Sequence, residues 1–182
     1  MSKREGNFIT LRDVVKKVGE DVVRFMMISR DSDKKIDFDF EIVKSKNKEN
    51  PVFYIQYAYA RCNSILNIAK KSFGKNLKID VENFNMLQLN EEINLIKHLC
   101  GFFDTVSTSS EKFEPHRLSN FLYNLSKLFH NYWGLGKQDE KYKIIREENY
   151  ELTISRIQLV VGVSLVIKKG LKILKIKCPE NM

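Results

Sequence analysis

Three stretches of the chain hold residue types that could do chemistry. The first is Met1-Ser2-Lys3-Arg4-Glu5-Gly6-Asn7, which sets a compact ammonium and a forked guanidinium beside a hydroxyl and a glycine. Both cations suit phosphate oxygens, and Gly6 permits close backbone approach. Such a loop could neutralise charge on a transferring or leaving phosphate. A solvated basic terminus explains the same residues, and composition alone favours it. The second is Asn50-Pro51-Val52-Phe53-Tyr54-Ile55-Gln56-Tyr57-Ala58-Tyr59-Ala60-Arg61. Tyr57 and Arg61 share one helix face at i, i+4 spacing. Aromatic rings stack on unpaired bases and arginine engages bases or phosphates, although an aromatic stripe more often packs in a core. The third is Phe129-His130-Asn131-Tyr132-Trp133. Trp133, where a helix runs out, can close a core edge or offer a stacking surface. His130 has no partner visible in the sequence and is read as neither ligand nor base. There is no Ser-His-Asp arrangement, no phosphate-binding P-loop and no metal-ligand spacing.

The elements that must position these residues read as helices. Thr10 caps a helix over 11–18 that stops at Gly19, and a second follows from Glu20 to about Ser29. Residues 36–40 alternate briefly, as a short extended connector. Asn50 and Pro51 start a long helix that carries Val52, Ile55, Tyr59, Cys62, Leu66 and Ala69 inward and stops at Gly74. After a loose region over 75–89, Asn90 caps a helix whose apolar residues recur from Ile93 through Phe102 and Phe103 to Val106. Pro115 opens the next, lined by Leu118, Phe121, Leu122, Leu125, Leu128, Phe129 and Tyr132 and closed by Gly134 and Gly136. The charge-crowded segment 137–151 reads as an exposed loop. A last helix from Leu152 to about Leu174 turns Ile154, Ile157, Val161, Leu165, Lys168 and Leu171 inward, with Lys168 reaching back out along the surface. The expectation is an all-α helical bundle without a sheet.

Composition narrows the partners. Lys plus Arg number 31 against 23 acidic residues, a net charge of +8 that suits a polyanion. Cys62, Cys100 and Cys178 are too scattered for a disulfide framework or zinc site and fit a reducing, cytoplasmic setting. The apolar stretch 157–167 is shorter than the roughly 20 residues of a membrane span, so it reads as a buried helix and membrane partners drop out.

Taken together and in order, these segments resemble arginyl-tRNA synthetases, a class-I family. Met1-Ser2-Lys3-Arg4 is similar to part of the mobile signature loop, with Arg4 where the generic signature has Ser and the family's leading Lys absent. Residues 6–13 and 18–25 resemble the helices behind that loop, and Asp37-Phe38-Asp39 its connector. The run from Asn50 to Arg61 resembles the opening of the anticodon-binding domain, with Tyr59 where His is more usual. Leu118, Leu122, Tyr123 and Leu125 fit its central helix; Gly170-Leu171, Leu174 to Ile176, Pro179-Glu180 and Met182 fit its end.

The resemblance implies residues 1–49 as the end of a catalytic domain and 50–182 as a helical anticodon-binding domain. It implies ATP-dependent attachment of arginine to its tRNA, with Met1, Ser2, Lys3 and Arg4 in the ATP loop and Lys3 steadying the phosphates. Tyr57, Arg61, Phe129, Trp133 and Met182 become the candidate tRNA contacts. The implied partners are arginine tRNA and a separate catalytic half. ATP with magnesium, and arginine, would be held only with that half and not by this chain alone. No His-Ile-Gly-His-like motif or nucleotide-binding α/β domain is present, so the chain alone is expected not to aminoacylate. The alternatives are a free-standing tRNA-binding module acting in trans and an inactive truncated remnant.

Overall fold

The computed structural model describes residues 10–31, 33, 49–74 and 86–182. Met1, Ser2, Lys3 and Arg4, the connector over 36–40 and most of the region 75–89 lie outside the described residues.

The described residues open with two short helices whose ends are written locally. In α1 (Leu11–Val18) the Thr10 hydroxyl accepts from the Asp13 amide, and the Asp13 carboxylate accepts from the Thr10 amide. Gly19 follows at φ +89°, a conformation that side-chain-bearing residues rarely adopt, and the chain re-enters a helix at once as α2 (Glu20–Ile28). Phe25 of α2 is buried, and α2 packs on the helices at Pro51–Phe73 and His116–Leu135.

Among the described residues, five helices make up the bundle. The longest packing runs between α3 (Pro51–Phe73) and α7 (Tyr150–Ile173), with α6 (His116–Leu135) against both. At the head of α3 the Asn50 side chain accepts from the Val52 and Phe53 amides, satisfying N–H groups that a helix start leaves bare. The α4 helix (Asn90–Cys100) packs on α6 and α7, and α5 (Phe102–Glu111) on α6. No strand occurs among the described residues. At the α6–α7 crossing a Cβ on Gly170 would fall 2.5 Å from Leu122 Cδ2, so the approach of these helices requires glycine there.

Four expectations are corrected. Leu89, not Asn90, sits at the cap of α4, and its amide donates to Glu92 Oε2. The helix expected to run from Asn90 past Val106 breaks at Gly101 into α4 and α5. Spacing carried across the break loses phase: Phe102 packs on Phe121, whereas Phe103 is 81% exposed. In α7, which begins at Tyr150 under an Asn149 cap, Val160, Val163 and Ile167 are buried rather than Val161 and Leu165, and Leu165 is exposed. A helix apolar nearly all round gives no reliable phase. Finally, the segment after α6 is not a bare exposed loop. It forms a 3-10 turn at Glu140–Tyr142 and buries Ile144 in the core.

That segment is tied down by a buried polar hub. Glu92, fully buried, accepts from Arg156 Nε at 2.7 Å and from the Tyr132 hydroxyl at 2.8 Å. Arg156 also donates from Nη1 to the Lys143 carbonyl at 2.7 Å. Burial pushes the Tyr132 phenol up, so it remains protonated as the donor this arrangement requires. Thr153 accepts from the Arg146 amide and donates to its carbonyl, each at 2.8 Å. One end of α6 and the strap behind it are therefore fixed relative to α4 and α7.

Candidate nucleic-acid interface

Helices α3 and α6 lie side by side and put the second and third sequence clusters on one surface. Arg61, on the middle of α3, is the hub. Its Nη2 donates to the Tyr57 hydroxyl at 2.8 Å, one turn earlier on the same helix. Its Nη1 donates to His130 Nδ1 on α6, also at 2.8 Å. Its Cζ lies 3.8 Å from the centroid of the Trp133 ring and 4.4 Å from that of Tyr57.

The bond to Arg61 settles the state of His130. A guanidinium can only donate, so Nδ1 accepts and the ring proton sits on Nε2, which donates to the Tyr54 carbonyl at 3.1 Å. Burial is the main force holding the imidazole neutral, and the Arg61 charge adds to it. Together they outweigh the Tyr54 carbonyl and push His130 down to about 4. The ring is packed 4.4 Å from Tyr54 and 5.6 Å from Tyr57, centroid to centroid.

Arg61 thus has three neutral partners. Among the described residues, the ion pairs join Arg117 to Glu114, Lys141 to Asp139, Lys143 to Glu140, Arg146 to Glu148 and Arg156 to Glu92. None compensates Arg61, and no further hydrogen bond reaches its guanidinium from the described residues. A positive charge held in place by aromatic and neutral groups is suited to an incoming anion or to the acceptor edge of a base.

Tyr57, Arg61, Trp133 and Met182 line one cavity of about 360 Å³, with Ser64 and Asn181 among its polar groups. Four of the five residues read from the sequence as RNA contacts therefore meet at one place. Phe129 does not. It is 1% exposed, inside the core beside Leu125 and Tyr132, and this corrects its reading as a contact residue. Phe129 lies one turn before Trp133, but the buried side of α6 includes residue 129, whereas Trp133 is only partly covered.

Sequence reasoning missed His130 and Lys137. Together with Trp133 they follow i, i+3, i+7 spacing along α6 and just past its end, a helical-face signal that was available. Lys137 Nζ lies 4.1 Å from the centroid of the Trp133 ring. Among the described residues no His, Cys, Asp and Glu group is arranged to hold a metal. The chemistry on offer here is stacking, hydrogen bonding and charge.

Known proteins match the chain over this region and beyond. The profile of the DALR anticodon binding domain covers residues 55–182. An arginine–tRNA ligase of Rickettsia typhi is 42% identical over 97% of this chain and 31% of its own length. One from Rhizobium leguminosarum is 42% identical over the whole chain and 32% of its own. The chain thus spans about a third of the length of the curated relatives it matches. Among solved structures, a Campylobacter jejuni chain described as an arginyl-tRNA synthetase superposes with a TM-score of 0.77 at 26% identity, over all of this chain and 37% of that one. Thermus thermophilus arginyl-tRNA synthetase shares the fold, with a TM-score of 0.68 at 24% identity over 99% of this chain and 29% of that one.

Proposed function

The chain belongs to the DALR anticodon-binding domain family, and from that premise we propose that it grips the anticodon loop of arginine tRNA, as the helical part of an arginine–tRNA ligase. The observation that carries this reading is the Arg61 guanidinium, paired with no carboxylate among the described residues and held between Tyr57, His130 and Trp133 in the lining of a cavity. Sequence-specific RNA recognition targets single-stranded loops, whose bases can leave the stack and rest on aromatic side chains. Trp133 and Tyr57 supply the rings, Arg61 a donor fork for a base edge or phosphate, and Met182 an adaptable apolar contact.

His130 acts through Arg61. A neutral imidazole that accepts from Nη1 fixes the direction of the guanidinium and adds no charge to repel it. The net charge of +8 draws the tRNA in, and the cavity selects among loops.

On this reading residues 50–182 form the anticodon-binding domain, and arginine, ATP and magnesium belong to the aminoacylation reaction of the whole ligase, in the cytoplasm. The residues the resemblance gives to ATP lie outside the described ones, so no described side chain is assigned to it.

The test is a titration of the purified chain against unmodified arginine tRNA and a non-cognate tRNA at two salt concentrations. Selective, salt-weakened binding to arginine tRNA is expected. Equal affinity for both would leave only a basic surface and overturn the reading.

A further inference from the structure

Trp133 has a second cavity against it. This one measures about 220 Å³ and lies between α3 and the strap that follows α6. Ile65, Ile68 and Trp133 are walls of both cavities; Tyr142, Ile144 and Ile145 complete the second. Each cavity has its own cation on the shared indole, Arg61 in the first and Lys137 in the second.

We propose that this second cavity takes a second unstacked base of the same RNA loop, so that Trp133 stands as a spacer between two splayed bases. The proposal rests on the reading of the first cavity as a loop-base site. Three observations favour a base over any other occupant. The walls are apolar and aromatic, which suits the flat face of a heterocycle. The lining holds Lys137, which has no ion pair among the described residues and is placed for a phosphate beside such a base, while Lys143 on the same lining is paired with Glu140. And the cavity adjoins the first through a common wall, so one strand can reach both.

The rings also have occupants of the right kind. Lys137 Nζ lies over Trp133, and Lys141 Nζ lies 4.8 Å from the Tyr142 centroid. An ammonium on a ring is a loose cover. An arriving base takes the ring face of Trp133, and the freed Lys137 turns to the phosphate that came with it, while Lys141 keeps its pair with Asp139. The wall is built in advance, because Arg156 holds the Lys143 carbonyl and Thr153 holds the backbone of Arg146. With few polar groups inside, this cavity selects by shape and stacking and tolerates more than one base.

The experiment uses a hairpin RNA bearing the anticodon arm of arginine tRNA, with a single abasic nucleotide walked through the loop and affinities read by filter binding. The wild-type chain is expected to show two sensitive positions, each weakened about fivefold or more, as the loss of one stacked base implies. Arg61→Ala should erase the sensitivity at one position. Ile145→Asp, which puts a carboxylate into the second cavity, and Tyr142→Ala, which removes one wall, should each erase it at the other, with circular dichroism reporting an intact fold. A single sensitive position, governed by Arg61, overturns the second site and leaves the first reading standing. Two positions indifferent to both strap variants overturn it as well. A hairpin that does not bind removes the first reading, and the second falls with it.

Discussion

Arg156 and Arg61 both project from long helices and both are held by partners from other elements, yet they are opposite devices. Arg156 is 2% exposed and bonded to the buried carboxylate of Glu92. Its charge is cancelled where it sits, and its Nη1 fixes a loop carbonyl. Arg61 lies at the surface, and its partners are a phenol, an imidazole and an indole face. These orient the guanidinium without neutralising it. The partner's charge therefore separates a structural arginine from one poised for a ligand, even where the hydrogen-bond distances are nearly the same.

The comparison can be broken most forcefully at the buried end. Glu92→Leu strands the Arg156 charge in the core and is expected to cost about 3–5 kcal/mol of stability. Denaturant unfolding would measure it, and a loss under about 1 kcal/mol would mean that the hub is not the fastening described. At the surface end, Trp133→Ala should weaken tRNA binding by about 1–3 kcal/mol, through lost stacking, while the unfolding midpoint changes far less than for Glu92→Leu. Unchanged affinity in a folded variant would take Trp133 out of the interface. Arg61→Ala should lower the slope of log affinity against log salt by about 1, the signature of one phosphate contact. An unaltered slope with reduced affinity would move Arg61 from a phosphate to a base edge.

The smallest effect concerns pH. His130 stays neutral in the fold down to about 4, whereas an ordinary imidazole protonates near 6.5. The unfolded chain takes up this proton first. The stability that His130 contributes is therefore complete above about pH 6.5 and is lost as the pH falls through that value toward 4. The denaturation midpoint of the wild type should drop across this window more steeply than that of His130→Gln. Parallel curves would show that the ring is not held neutral.

Much of this was legible in the sequence because local rules set it. Thr10 with Asp13, Asn50 with Pro51, and the glycines at 19 and 74 mark helix ends by their own chemistry. Tyr57 and Arg61 pair because one turn of helix brings them together. What the sequence concealed depends on partners far along the chain. Glu92 and Arg156 look like scattered surface charges, and Tyr132 like one more core ring, until three helices meet. The spacing sets Phe129 on the apolar side of α6; only the resemblance gives it a contact role, and the packing of that side takes the role away. The run 157–167 is so apolar that its buried face could be fixed only by what packs against it. Likewise, charges on every side hid the fact that Ile144 belongs to the core.

Trp133 has one more consequence. It is the chain's single tryptophan, and it is a wall of both cavities with a guanidinium and an ammonium on its ring. Indole emission excited at the red edge of absorption, where tyrosine is silent, therefore originates at this one spot. Its colour and intensity register what lies against the ring, with no label attached. On the proposed reading this surface is its own optical gauge, and the arrival of an RNA base should change the emission as it happens.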